Sequence, residues 1–165
     1  LATFVHVFDA RNSKKIVRDG IRPARVRPGV KVVFCVPVVP NFQITFQWLR
    51  EMKRDGYQTA GAVQFKIPDS ELVSVGRFAK PHRDMTAAEA VALFLERDDA
   101  RGLEVMIMRK IEPKEITRIR FIPQIVGWRF YPDAKGNPPL WPGKGMIKAS
   151  RIRESVQERY KSPFE

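Results

Sequence analysis

Glu104 stands in Gly102-Leu103-Glu104-Val105-Met106-Ile107-Met108, a run otherwise apolar, on the strand face it shares with Met106 and Met108. A carboxylate there is costly to bury without partners. Held in place, it can stabilise positive charge growing at an anomeric carbon as a glycosidic bond breaks. The plainer reading puts it at the exposed start of a strand just after Gly102. His6 is the second candidate, the one imidazole in the apolar run Thr3-Phe4-Val5-His6-Val7-Phe8. A neutral ring offers a donor and an acceptor, enough to grip a ribose hydroxyl. A hydrogen-bonded core histidine is the simpler alternative. Phe34 and Phe42, beside Asn41, Gln43, Gln47 and Trp48, form a third group. Aromatics next to amides suit a flat ring bearing a carboxamide, although Phe34 and Trp48 fit a core equally well. Phe42, at a helix start, is the more available to a ligand. His82 lies in the loop-like Lys80-Pro81-His82-Arg83-Asp84. With no second His or Cys nearby, metal binding is not expected.

The charge is lopsided. Lys and Arg number 30 against 18 Asp and Glu, a net +12 with a pI near 10.3. Such a field attracts polyanions, and nucleic acid, DNA or RNA, is the leading partner class. Residues 11–31 alone hold eight Lys or Arg against one Asp. Lys14, Lys15, Arg18, Arg22 and Arg27, with His82 and Arg83 on their separate loop, are the expected phosphate contacts.

The elements that must position these groups follow from periodicity and punctuation. Residues 3–8 alternate as a strand, with Phe4, His6 and Phe8 on one face and Val5 and Val7 on the other. A short helix from about Ser13 to Asp19 should stop at Gly20. Residues 22–31 read as a basic loop and about 31–37 as a strand. Pro40-Asn41 opens one helix to about Asp55, with Ile44, Trp48, Leu49 and Met52 on one face. Strands are expected near 59–67 and 71–78. A capping box at Thr86-Ala87-Ala88-Glu89 starts a helix to about Glu96. Further strands are expected from Gly102 to Ile111, from Ile116 to Ile122 and from Val126 to Tyr131. Residues 132–146 form a Pro/Gly-rich loop, and 147–165 a basic helix or tail, amphipathic over 147–160. Strands outnumber helices without repeated βαβ spacing, so the class is α+β, with one catalytic-type domain over 1–131.

Cys35, the only cysteine, cannot form an internal disulfide, and the composition fits a reducing, cytoplasmic setting. No run of 18 apolar residues spans a membrane, and no membrane partner is expected. Leu1 is not an initiator methionine, so the natural start, and with it an export signal, is left open. The sequence has no phosphate-binding P-loop, GxGxxG, zinc spacing or hydrolase elbow.

Two stretches carry a resemblance. One is Val5-His6-Val7 with Asn12, Ile16 and Gly20-Ile21. The other is Leu103-Glu104-Val105-Met106-Ile107 followed by Ile111-Glu112-Pro113-Lys114-Glu115-Ile116-Thr117-Arg118-Ile119, and Val32-Val33-Phe34-Cys35 lies between them. Over about residues 3–122 the chain resembles the ADP-ribosyltransferase superfamily, closest in style to DarT-like nucleic-acid ADP-ribosyltransferases with a histidine-type first motif. The resemblance implies a split, mixed or antiparallel sheet core flanked by short helices, with NAD as substrate in the cleft. It implies that Glu104 engages the nicotinamide ribose and stabilises an oxocarbenium-like transition state. His6 would bond the adenosine ribose, and Phe34 or Phe42 would stack on nicotinamide. Asn12 and an arginine of the 22–27 loop, Arg25, would hold ribose or diphosphate. Gly102 stands where arginine-modifying members carry an acid or amide two residues before the catalytic Glu. Phe34 stands where many histidine-type members have Tyr. The His-Gly-Thr motif of related RNA 2′-phosphotransferases is missing.

The expected function is therefore NAD-dependent ADP-ribosyl transfer to nucleic acid, as a toxin or defence effector, cytoplasmic or delivered there, with an antidote protein as a further partner. The alternatives are a non-catalytic nucleic-acid-binding module, a metal-independent ribonuclease using His6 or His82, and a transferase that modifies protein.

Overall fold

The computed structural model describes residues 1–54 and 60–122. Eight strands make up the sheet: β1 (Ala2–Asp9), β2 (Ala24–Arg27), β3 (Val30–Pro37), β4 (Ala60–Ile67), β5 (Leu72–Arg77), β6 (Arg83–Thr86), β7 (Leu103–Ile107) and β8 (Ile116–Ile122). Four helices accompany them: α1 (Ser13–Asp19), α2 (Phe42–Thr45), α3 (Leu49–Arg54) and α4 (Ala87–Glu96). The sheet runs β6-β5-β7-β3-β1-β4-β8, with β2 paired to β3, and every pairing is antiparallel. The expected α+β class and open, mostly antiparallel sheet with few short helices are what the structure has. The strands expected at 126–131 and the helix at 147–160 lie outside the described residues.

The sheet is joined thinly at its centre. β1 pairs with β4 over eight positions, Ala2↔Ile67 to Asp9↔Ala60, but with β3 only at Phe4↔Pro37 and Val5↔Val36. Beyond Val5 the two strands part, and the imidazole of His6 crosses the seam to the carbonyl of Phe34. One face is the main core. Phe4, Val63, Phe65, Val33, Val105, Ile107, Val73 and Val75 are buried there, with the Phe4 and Phe65 rings stacked 6.1 Å apart. Ala87, Ala90 and Phe94 of α4 join this cluster.

Local sequence explains the elements. The Thr86–Glu89 capping box forms in full and starts α4. Gly20 ends α1 at φ 77° and ψ −169°, a conformation essentially confined to glycine. There Ile21 pairs with Ile111 as an isolated bridge, and a side chain at Gly20 would run into the Ile111 carbonyl.

Four expectations are corrected. The basic loop at 22–31 is instead a hairpin, because Gly29 at φ 78° lets β2 fold back on β3. The helix from Asn41 to Asp55 is broken into α2 and α3. The Thr45 hydroxyl turns to the Val39 carbonyl, and the Gln47 side chain is pulled inward. Arg83–Thr86, not expected as a strand, pairs with β5. The strand expected through Ile111 stops at Ile107, where Arg109 turns its guanidinium to Glu71 and Glu115.

Candidate functional site

Glu104 is set by strand alternation on one side and by a clamp on the other. In β7, Leu103, Val105 and Ile107 point into the core, which sends Glu104 and Met106 to the opposite face. The clamp is built from the α2–α3 junction. Gln47 is fully buried; its side-chain nitrogen donates to the Ala100 carbonyl at 3.2 Å, and its oxygen accepts from the Gly102 amide at 2.6 Å. The Trp48 indole donates to the Leu103 carbonyl at 3.3 Å. Three hydrogen bonds therefore fix the backbone immediately ahead of Glu104, and Gly102 makes the turn at φ 75°. The amide of Gln47, which the sequence offered to a ligand, is used up in this clamp.

The face carrying Glu104 opens on a cavity of about 410 Å³. Phe34, Trp48 and Phe78 wall it, Val5 and Val7 come from β1, and Glu51 is the second carboxylate at its lining. The Trp48 and Phe78 rings meet at 5.7 Å, tilted by 54°. Its volume is that of a small-ligand site. Burial pushes the Glu104 carboxyl up to about 7, so the free site holds it neutral in mild acid and ionised in mild alkali.

His82 approaches Glu104, with Nε2 at 3.2 Å from Oε1. The approach depends on Gly76, which pairs with Glu104 across β5 and β7. A Cβ at Gly76 would lie 2.7 Å from the His82 ring, so only glycine leaves the imidazole this path. The turn between β5 and β6 carries Ala79 at φ 60°, an uncommon left-handed alanine that returns the chain over β5. Nε2 of His82 is sequestered from solvent and makes no hydrogen bond, since its alignment with Glu104 misses one.

The expected site residues therefore divide. Glu104, Phe34 and His82 come together. His6 leaves β1 from the other face, because its neighbours Val5 and Val7 both line the cavity and the Val5↔Val36 and Phe34↔Met106 registers preserve that parity. Its Nδ1 lies 2.7 Å from the Phe34 carbonyl. A carbonyl only accepts, so Nδ1 carries the proton. Burial lowers the His6 pKa and keeps the ring neutral. Asn12 is exposed at the start of α1 and caps nothing with its side chain. Phe42 is exposed, its ring 4.6 Å from Phe46, and is not part of the cavity lining.

The basic candidates occupy α1 and the β2–β3 hairpin. Arg18 and Arg22 are both held by Asp19, at 2.8 and 3.2 Å. Lys14, Lys15, Arg25 and Arg27 are exposed and make no ion pair among the described residues. Arg25 stands directly opposite Lys31, a like-charge pair that costs stability unless an anion offsets it. Arg83 lines a separate groove with Glu89 and Glu96. Sequence reading missed Glu51, Phe78, Gly76 and Arg109. Their partners are distant in sequence, and no local pattern flags them.

No protein-family model, curated protein or solved structure matches this chain. Among the described residues no helix is long and apolar enough to cross a membrane.

Proposed function

We propose that the protein is an NAD-dependent ADP-ribosyltransferase with a nucleic-acid acceptor. The observation that carries this reading is the partly buried carboxyl of Glu104 beside three aromatic side chains in a cavity of small-ligand size. Aromatic faces and carboxylates together suit a flat cation, the character of a nicotinamide ring still bonded to its ribose. Glu104, once ionised, faces the sugar as the nicotinamide bond breaks and stabilises the oxocarbenium-like charge at the anomeric carbon. The thin seam between β1 and β3 supports a split core of the ADP-ribosyltransferase type. The unpaired cations of α1 and the hairpin supply the attraction for an acceptor strand.

His6, Asn12 and Arg25 lie off the cavity lining, so in this reading they serve the outer parts of NAD or the acceptor, or the fold alone. The test is to incubate the protein with NAD labelled in its ADP-ribose part and, separately, DNA, RNA and bulk protein, beside a Glu104→Gln control. Label on a nucleic acid only when Glu104 is intact is the expected result. Label on protein alone keeps the chemistry and changes the acceptor. No label and no loss of NAD sinks the proposal.

The His82–Glu104 approach favours one second reading, acid–base cleavage of RNA without a metal. RNA cut in the presence of chelator and without NAD, and lost in both His82→Ala and Glu104→Gln, would select it.

A further inference from the structure

An imidazole nitrogen shut off from water, without a hydrogen bond and 3.2 Å from a carboxyl oxygen is a buried polar group left unsatisfied in the free protein. We propose that His82 is a positioning residue that takes the proton of Glu104 when a cationic ring enters the cavity, so that carboxylate and ring meet as opposite charges. The inference rests on the glycosyl-transfer reading and supplies what that reading lacks, a nearby base for a partly buried acid.

The step balances within the pair. The Oε1–H bond of Glu104 breaks and an Nε2–H bond forms on His82. A neutral acid and a neutral imidazole become a carboxylate and an imidazolium, with no change in total charge. Nε2 must be the bare nitrogen of the ring beforehand, which its missing hydrogen bond allows. The empty Cβ position of Gly76 gives the ring its place against β5.

Glu51, on α3, is the second carboxylate at the cavity lining. Arg77 is committed to the carbonyls of Arg101 and Asp99, at 2.6 and 3.1 Å. Arg83 faces the groove with Glu89 and Glu96. Lys80 and Asp84 are exposed on the turn and on β6. His6 is on the far face of the sheet.

The experiment uses 1-methylnicotinamide, a flat pyridinium cation, as probe and follows the Glu104 side-chain carboxyl by carbon-13 NMR. At about pH 6 the carboxyl is mostly protonated in the free protein. Adding the probe should move the signal to the carboxylate position in the wild type. It should not do so in His82→Phe, which keeps the ring shape, or in His82→Gln, which can donate to Glu104 but cannot take its proton. The acid limb of NAD transfer should also move up by about one pH unit in both variants, a tenfold loss on that limb. Ionisation on probe binding that is equal in wild type and variants overturns the inference, as does a bound probe that leaves wild-type Glu104 protonated. Failure of the probe to bind overturns it together with the cation cavity. Ionisation in the wild type without any transfer from NAD sustains the shared proton and overturns the transferase reading instead.

Discussion

Glu104→Gln should stabilise the protein in alkali and leave it unchanged in acid. The carboxyl sits at about 7 rather than its ordinary 4.5 because burial removes water from it. Between those values the folded state holds the proton more tightly than the unfolded chain, so stability falls as pH rises through that window. Once the pH passes about 7 the whole effect is present, and the gap corresponds to roughly 3 kcal/mol. A glutamine is neutral throughout and escapes this cost. The two proteins should have equal urea midpoints at about pH 3.5 and separate by about 1–2 M near pH 9, the variant being the more stable. His6 and the exposed groups titrate in both proteins and drop out of the difference. Midpoints that run parallel across the range would refute the reasoning. A variant less stable than wild type at neutral pH would mean that Glu104 is already an ion pair in the free protein.

Gly20→Ala should cost about 3 kcal/mol by thermal or urea unfolding, since both the backbone angles and the Ile111 carbonyl exclude a side chain. Arg109→Lys should cost about 2 kcal/mol, because the charge is kept but one ammonium cannot make the forked bonds that the guanidinium gives Glu71 and Glu115 together. Replacing Arg25, Arg27 and Lys31 with Gln should leave unfolding unchanged while flattening the salt dependence of single-stranded nucleic-acid affinity, by up to about 2 in the log–log slope. His6→Asn should reduce the loss of stability below about pH 6.5, because in the wild type the unfolded chain binds a proton that the buried ring refuses.

The parts legible in sequence were those in which one chain segment decides the outcome. Alternation along residues 3–8 put His6 and Val7 on opposite faces, and the Thr86–Glu89 cap marked α4 to the residue. The β2–β3 and β5–β6 hairpins were not legible, because β2 and β6 are four-residue polar strands whose partners supply the pattern. The break between α2 and α3 comes from Gln47 reaching Ala100 and Gly102, over fifty residues away, against a good local helix period. Glu104 stood out because a carboxylate in an apolar strand asks for an explanation. His82 stood out only as a loop histidine, because its place beside Glu104 depends on the bare Cα of Gly76 and on the register that puts Gly76 beside Glu104.

The order of the strands has a consequence for how the chain is made. Among the described strands only β2–β3 and β5–β6 are hairpins between consecutive strands, and the remaining neighbours in the sheet are not consecutive in sequence. Such topologies fold slowly, in milliseconds to seconds. During synthesis β3 and β5 emerge before β7, the strand that joins them and bears Glu104. At ribosomal speed the seventy residues from Pro37 to Ile107 take about 4–14 s, during which an apolar strand edge stays open. The nascent chain is thus most prone to aggregate just before its acidic group arrives, and the cavity has no Glu104 until β7 closes the gap.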